Sequence, residues 1–596
     1  MNFFDFQTSY DSRGLNALIW LPMVFAVLVL LLPKGEKGQI RVATLIAMLV
    51  DCAVSVWAFL RFQPGGREFQ MEFRMPWIDE IGVSYHLGVD GLAVSLVLLT
   101  GILGPLVVLS SWTFVQERVK EFHLALLLLQ TAMMGALCSI DTLLFYIFFE
   151  AMLVPMYLLI GVWGSEERQM AAMKFFLYTL VGSLLMLVAL LAVYFIAQPS
   201  GARSFDYAQI YNGLMAASRE VSQCLNTADG CDPTRMTAPG AALLRFGPWM
   251  FFAFALAFAI KVPMFPVHTW LPDAHVQAPV AGSIVLAGVM LKMGTFGFWR
   301  FAVPLFPTVA RGWQTPIAIL SVIGIVYGAL MCLAQRDIKK LIAYSSVSHL
   351  GFCMLGIIAF TKEGATGSAY QMLNHGVSTG ALFLLFGMLY ERRHARLMSE
   401  YGGIAKVMPV FSAFFLIITF SSIAVPGTNG FVGEFLILLG AFKSKLPMAF
   451  GILAATAVVL GAAYMLWMVQ RVFFGPLANP ENMGLKDMNK RELFTALPFV
   501  ILVVVMGLVP QPFLDVLEPS TNRYVARALW ASDASHLSES QVKVQVRSNP
   551  SKLTPSPGPE VQVQDAPRVL GVPLLPTLRR APARIMQAPT QGGPTP

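Results

Sequence analysis

Charge is what this sequence has least of. Lysine, arginine, aspartate and glutamate make up 13% of it, against about 25% in soluble domains. That scarcity excludes the string of soluble domains that 596 residues would otherwise suggest. Cysteine is sparse too, and its six residues form no CxxC pair and no Cys/His cluster. Neither zinc nor an iron–sulfur cluster therefore has a ligand set. Cys52, Cys138, Cys332 and Cys353 fall in or beside apolar runs and read as small hydrophobes. No GxGxxG dinucleotide fingerprint occurs. The net charge of +8 sits in loops between apolar runs, which excludes a nucleic-acid footprint. The first residues, MNFFDFQTSYDSRGLNALIW, lack a basic stretch and a small-residue cleavage site. The expectation there is a retained anchor, not a cleaved signal.

What fills the space is hydrocarbon. Apolar residues make up 56% of the chain, with a mean hydropathy of +0.64. Runs near 20 residues recur along most of it, the signature of a polytopic all-α membrane protein. The runs predict about fourteen transmembrane helices, from 15–32 to 494–516. The twelfth, 408–440, is interrupted at Val425-Pro426-Gly427-Thr428-Asn429-Gly430. The seventh, 249–271, is broken at Pro263 and Pro266. Basic residues concentrate in the short loops after spans 1, 3, 5, 9, 11 and 13, so the positive-inside rule places both termini outside. The long outer loop at 198–248 holds Cys224 and Cys231. An oxidising compartment would allow these a disulfide, and two free thiols is the alternative. From Pro519 the chain turns rich in Ser, Pro, Gln and Arg, which reads as a disordered tail with at most a short helix near 521–531.

Six polar groups stand inside apolar spans: Glu150, Lys261, Lys292, His349, His375 and Glu434. An ion in hydrocarbon costs a few kcal/mol at least and calls for a reason. Broken helices with charges near the midplane are how many transporters build ion sites. The chemical reading is a chain of protonatable groups across the bundle interior. At roughly 7 Å and an effective dielectric near 20, one charge acts on another by about 2–3 kcal/mol, enough to decide whether a lysine keeps its proton. Histidine titrates near neutrality and suits a relay. Tyr344, Ser345, Ser346, Ser348, Ser378 and Thr379 are available to fill gaps. The plainer alternatives are a helix-gluing Glu150–Lys261 ion pair and packing roles for the two histidines. His268, Asp273 and His275 in HTWLPDAH match no common zinc spacing and read as a loop clamp. Asp90 reads as a helix cap or helix–helix contact.

These motifs resemble a known family. KVPMFPVHTWLPDAHVQAPVAGSIVLAGVMLKMGTFGFWRF, RDIKKLIAYSSVSHLG and NHGVSTGALFLLFG are similar to the core of the proton-translocating antiporter-like subunits of respiratory complex I and of Mrp-type cation/proton antiporters. The resemblance covers roughly residues 85–515. Glu434 and VPGTNGFVGEF resemble the M-type branch, whereas L- and N-type members carry lysine at the Glu434 position. The length is nearer the L-type, but no lateral amphipathic helix is evident after residue 516.

The resemblance implies two inverted five-helix repeats, spans 4–8 and 9–13, with discontinuous helices 7 and 12. It implies that Glu150 and Lys261 form a modulating pair and that Lys292 is the central relay. His349 and His375 would carry protons onward, and Glu434 would end the outer half-channel. The expected organisation is residues 1–120 for three N-terminal helices and an outer loop, then 121–301 and 302–474 for the repeats. Residues 475–518 would hold an inner loop and the last span, and 519–596 the tail. The family's redox groups, NAD, FMN, iron–sulfur clusters and quinone, belong to partner subunits, with none expected in this chain. Expected partners are L- and N-type neighbours, the lipid bilayer of a bacterial inner membrane and protons, with no nucleic acid. The alternatives are an Mrp-type cation/proton antiporter subunit and a passive spacer.

Overall fold

The computed structural model describes residues 6–198, 203–225 and 232–533. Among them, thirteen helices are long and apolar enough to cross a membrane. The first are α1 (Phe6–Leu31), α2 (Lys37–Arg61), α3 (Gly91–Ser110), α4 (Val119–Cys138), α5 (Thr142–Trp163) and α6 (Arg168–Ala197). After α7 (Tyr207–Leu225), in the long loop that follows α6, come α8 (Ala238–Lys261), the short α9 (Trp270–Gln277) and α10 (Val280–Leu305). Then follow α11 (Gln314–Ala334), α12 (Ile338–Ile358) and α13 (Lys362–Arg393). The twelfth expected span is delivered as two half-helices, α14 (Pro409–Ser422) and α15 (Asn429–Lys443). α16 (Met448–Phe473), α17 (Lys490–Leu508) and α18 (Gln511–Asp533) complete the described chain.

Burial sorts these helices into a centre and a sheath. The apolar windows of α10 and α13 are wholly buried, whereas those of α1, α2 and α17 are only one-third buried. The sheath turns large apolar side chains outward, such as Leu31, Trp249 and Val459, as lipid contact demands. Polar caps start the central helices. Asp90 accepts from the Ala93 amide at 2.8 Å, and Asp337 and Thr361 do the same for α12 and α13. Asp90 also meets Arg300 at 2.7 Å, so it is both cap and interhelical contact.

The expected all-α architecture gains one small sheet. β1 (Gln70–Ile78) and β2 (Val83–Val89) pair antiparallel in the long loop between α2 and α3, with Arg74 opposite His86. Buried His86 holds Asp206 through Nδ1 at 2.8 Å. Burial opposes the charged ring, but the Asp206 carboxylate outweighs it, and His86 titrates above its ordinary value. Burial likewise opposes ionised Asp206, and His86 and Arg74 outweigh that, so Asp206 titrates below its own.

The C-terminal expectation needs correction. The short helix expected near 521–531 is the second half of a longer one: α18 runs from Gln511 through Pro519 to Asp533, across the boundary placed at 518/519. Composition marked this stretch as tail, yet tertiary partners hold its polar groups. Ser520 accepts from the Gly91 amide at 2.9 Å, Tyr524 donates to Ile357 O at 2.9 Å, and Arg527 grips Glu68 with bonds of 2.6 and 2.8 Å. Gly91 admits this contact, since a Cβ there would lie 2.0 Å from Val516 O. The remaining tail, 534–596, lies outside the described residues, as does Cys231. Cys224 is disulfide-bonded, and Cys52, Cys138, Cys332 and Cys353 are free.

Candidate functional site: a buried line of protonatable side chains

The first half of the site is built at the end of α8. Pro263 and Pro266 stop the helix just after Lys261, freeing carbonyls of its last turn. Trp270 repairs part of that loss by donating its indole N–H to Ile260 O at 2.9 Å. Lys261 is buried, with its Nζ 4.1 Å above the Phe149 ring and no hydrogen-bond partner. The aromatic face stabilises the ammonium where a carboxylate would be the obvious choice. Glu150, next to Phe149, is half-buried and feels the Lys261 charge. The two make no ion pair within 4.0 Å among the described residues. They are coupled across space rather than by contact, and one Glu150 oxygen is buried without a partner.

Lys292 sits on α10 between two π-helical turns, Leu286–Met290 and Phe298–Ala302. Such turns loosen the i→i−4 ladder and recur at functional sites. Lys292 Nζ bonds the Ala287 carbonyl of the first π turn and lies 2.6 Å from His375 Nδ1. Gly294 brings this helix onto the Lys261 helix. A Cβ there would lie 2.6 Å from Val262 N and 2.7 Å from Phe258 O.

The line continues along α13. The rings of His375 and His349 are 5.9 Å apart, and the Nε2 atoms of both are buried without partners. His349 Nδ1 meets Glu434 Oε1 at 2.9 Å. Gln371 donates to the same oxygen at 3.1 Å, and Asn374 joins Gln371 at 3.0 Å and Asn429 O at 2.8 Å. Asn374 thereby ties the line to the second helix break. There Ser421 bonds Asn429 Oδ1 at 2.5 Å and Ser378 at 2.8 Å. Gly430 and Gly433 permit this crowding: Cβ atoms there would lie 2.1 Å from Ser421 O and 2.4 Å from Gln371 Oε1.

Of the sequence candidates, Lys292, His375, His349 and Glu434 come together, and the helix end that carries Lys261 packs on the Lys292 helix at Gly294. The reserve hydroxyls are mostly spent on backbone carbonyls, as Ser345 and Ser348 show; Ser346 stays buried and unpartnered. His268, Asp273 and His275 diverge. Asp273 pairs with Lys174 at 2.6 Å, and His268 packs on Phe265 and Tyr327. His275 stacks on Phe383 with ring centres 4.5 Å apart and both nitrogens unpartnered. Arg300 escaped notice in the sequence, although a guanidinium inside an apolar span with Asp90 opening another was the available signal.

The family model described as "NADH:quinone oxidoreductase/Mrp antiporter, TM" matches residues 139–461, which contain the whole line. This chain belongs to that family. Curated relatives agree over most of its length. The NADH-quinone oxidoreductase subunit M of Rhodobacter capsulatus is 41% identical over 86% of this chain and 96% of its own. That of Rickettsia prowazekii is 39% identical, over 86% and 99%. Among solved structures, a chain of respiratory complex I from Thermus thermophilus superposes with a TM-score of 0.73 at 33% identity, covering 86% of this chain and 99% of that one. A chain of the Mrp complex from Dietzia sp. shares the fold, with a TM-score of 0.71 at 18% identity over 88% and 99%.

Proposed function

We propose that this chain is the M-type proton-translocating subunit in the membrane arm of a bacterial NADH:quinone oxidoreductase. The observation that carries the reading is the buried run Lys292–His375–His349–Glu434, laid between two broken helices. Lys292 gives a proton to His375 Nδ1, and the proton on Nε2 passes through one bridging water to His349. His349 Nδ1 then delivers to Glu434 Oε1. The first and last steps join groups at hydrogen-bond reach, and the middle one crosses between rings whose centres are 5.9 Å apart.

Lys261 sets the drive. With Glu150 close in charge, the Lys261 ammonium is partly offset and Lys292 keeps its proton. When that coupling weakens, the uncompensated charge repels the Lys292 proton onward. Redox energy from partner subunits, which would carry NAD, FMN, iron–sulfur clusters and quinone, acts through this switch. L- and N-type subunits flank the chain, both termini face the periplasm, and spans 4–8 and 9–13 form inverted repeats around residues 121–301 and 302–474. Glutamate at position 434, where L- and N-type sisters have lysine, supports the M-type assignment over an Mrp antiporter.

The test is quinone-linked proton pumping by the assembled complex in vesicles. Lys292→Ala and Glu150→Ala should pump far fewer protons per NADH oxidised while assembly is kept. Normal pumping by assembled variants overturns the mechanism and returns the chain to a spacer.

A further inference from the structure

Nearly every buried carboxylate of the described residues has a visible task. Asp90 and Asp141 cap helices, Asp206 holds His86, Glu492 pairs with Arg392, and Glu434 ends the proposed line. Asp51 has none of these. It lies in the middle of α2, fully buried at 0% exposure. Its one side-chain partner is the Gln130 amide on α4, which donates to Oδ2 at 2.6 Å and reaches Thr100 O at 3.4 Å. Oδ1 is buried with no partner. No cation lies within ion-pair distance among the described residues. The titratable groups that sense its charge are two thiols, Cys52 beside it and Cys138 on α4. α3 closes the site with Gly101 and Gly104; a Cβ on Gly101 would fall 2.2 Å from Ser55 Oγ.

An ionised carboxylate with a single neutral donor in this setting is strongly disfavoured. A proton on Oδ1 removes the charge and leaves Oδ2 free to accept from Gln130. Beside this pair is a cavity about the size of one water. Its lining is mostly apolar and includes Thr100 and Gln130, with Val285 and Val289 just before Lys292; Asp51 does not line it and adjoins it through Gln130.

We propose that Asp51 is a proton-binding site separate from the Lys292–Glu434 line, held as the neutral acid and exchanging its proton with water that enters the adjoining cavity and passes the Gln130 side chain. In the exchange the Oδ1–H bond breaks and an O–H bond forms on water, and water returns a proton to the same oxygen. The site stands whether or not the chain pumps, so its test does not use pumping.

Infrared spectra of the assembled complex in ordinary and deuterated water provide that test. The parent should show a carboxylic-acid C=O band that shifts on deuteration and is missing in the near-isosteric Asp51→Asn. Gln130→Leu should move the band to higher frequency by removing its donor. Gly104→Ala, whose Cβ would sit 3.5 Å from Gln130 Nε2, should fill the cavity and slow the deuterium shift severalfold. An Asp51→Asn spectrum identical to the parent's, in complex that migrates normally with its partners, overturns the proposal. So does a band that persists unshifted in deuterated water.

Discussion

Lys292 and Lys261 show how similar residues in one hydrophobic stretch are held differently. Lys292 has a histidine and a carbonyl, whereas Lys261 has only an aromatic face. Phe149→Leu should therefore remove about 0.5–2 kcal/mol of support for the Lys261 charge and lower pumping severalfold, measured in vesicles with NADH oxidation as reference. His349→Ala should interrupt the line between His375 and Glu434 and cut pumping on the order of 10²-fold, as loss of a positioned proton carrier does. The β1–β2 hairpin adds a pH dependence. The His86–Asp206 contact contributes fully between their ordinary values, 3.8 and 6.5. It weakens as pH rises through the raised His86 value, and again as pH falls through the depressed Asp206 value. Protection of the β1–β2 amides, with the intrinsic pH dependence of exchange divided out, should fall as pH rises above 6.5 in the parent, and Asp206→Asn should flatten that change.

At the scale of elements, each helix break needs a repair. The break after α8 depends on the Trp270 indole, and the one between α14 and α15 on Asn429, Ser421 and Asn374. Trp270→Phe keeps the packing but strands the Ile260 carbonyl. It should cost about 1–3 kcal/mol, read as a lower thermal midpoint of the purified complex. Helix spacing is equally exacting. Gly294→Val would drive a branched side chain into the α8 backbone around Val262. The expected result is about 1–3 kcal/mol of overpacking and a misplaced Lys292, seen as lost pumping in complex that still forms.

For the whole molecule, α18 acts as a clasp. It joins the segment leading into β1 through Glu68, the start of α3 through Ser520, and the end of α12 through Tyr524. Ending the chain after residue 510 should abolish stable incorporation into the complex, scored by native gel migration. Glu68→Gln should only weaken it, because one bidentate pair is lost.

Hydrophobic run length, proline punctuation and charge inside apolar segments were enough to read the span count, both broken helices and the candidate side chains. These signals are local, and hydrocarbon tolerates few exceptions to them. Tertiary structure decided which candidates meet. It set Lys292 against His375 through a π turn, laid Lys261 on the Phe149 ring instead of in an ion pair with Glu150, and scattered His268, Asp273 and His275. It also turned a polar stretch into α18 and buried Asp51 beside Gln130. None of these was legible in the chain, because each depends on groups far apart in sequence whose partners are chosen only when the helices pack.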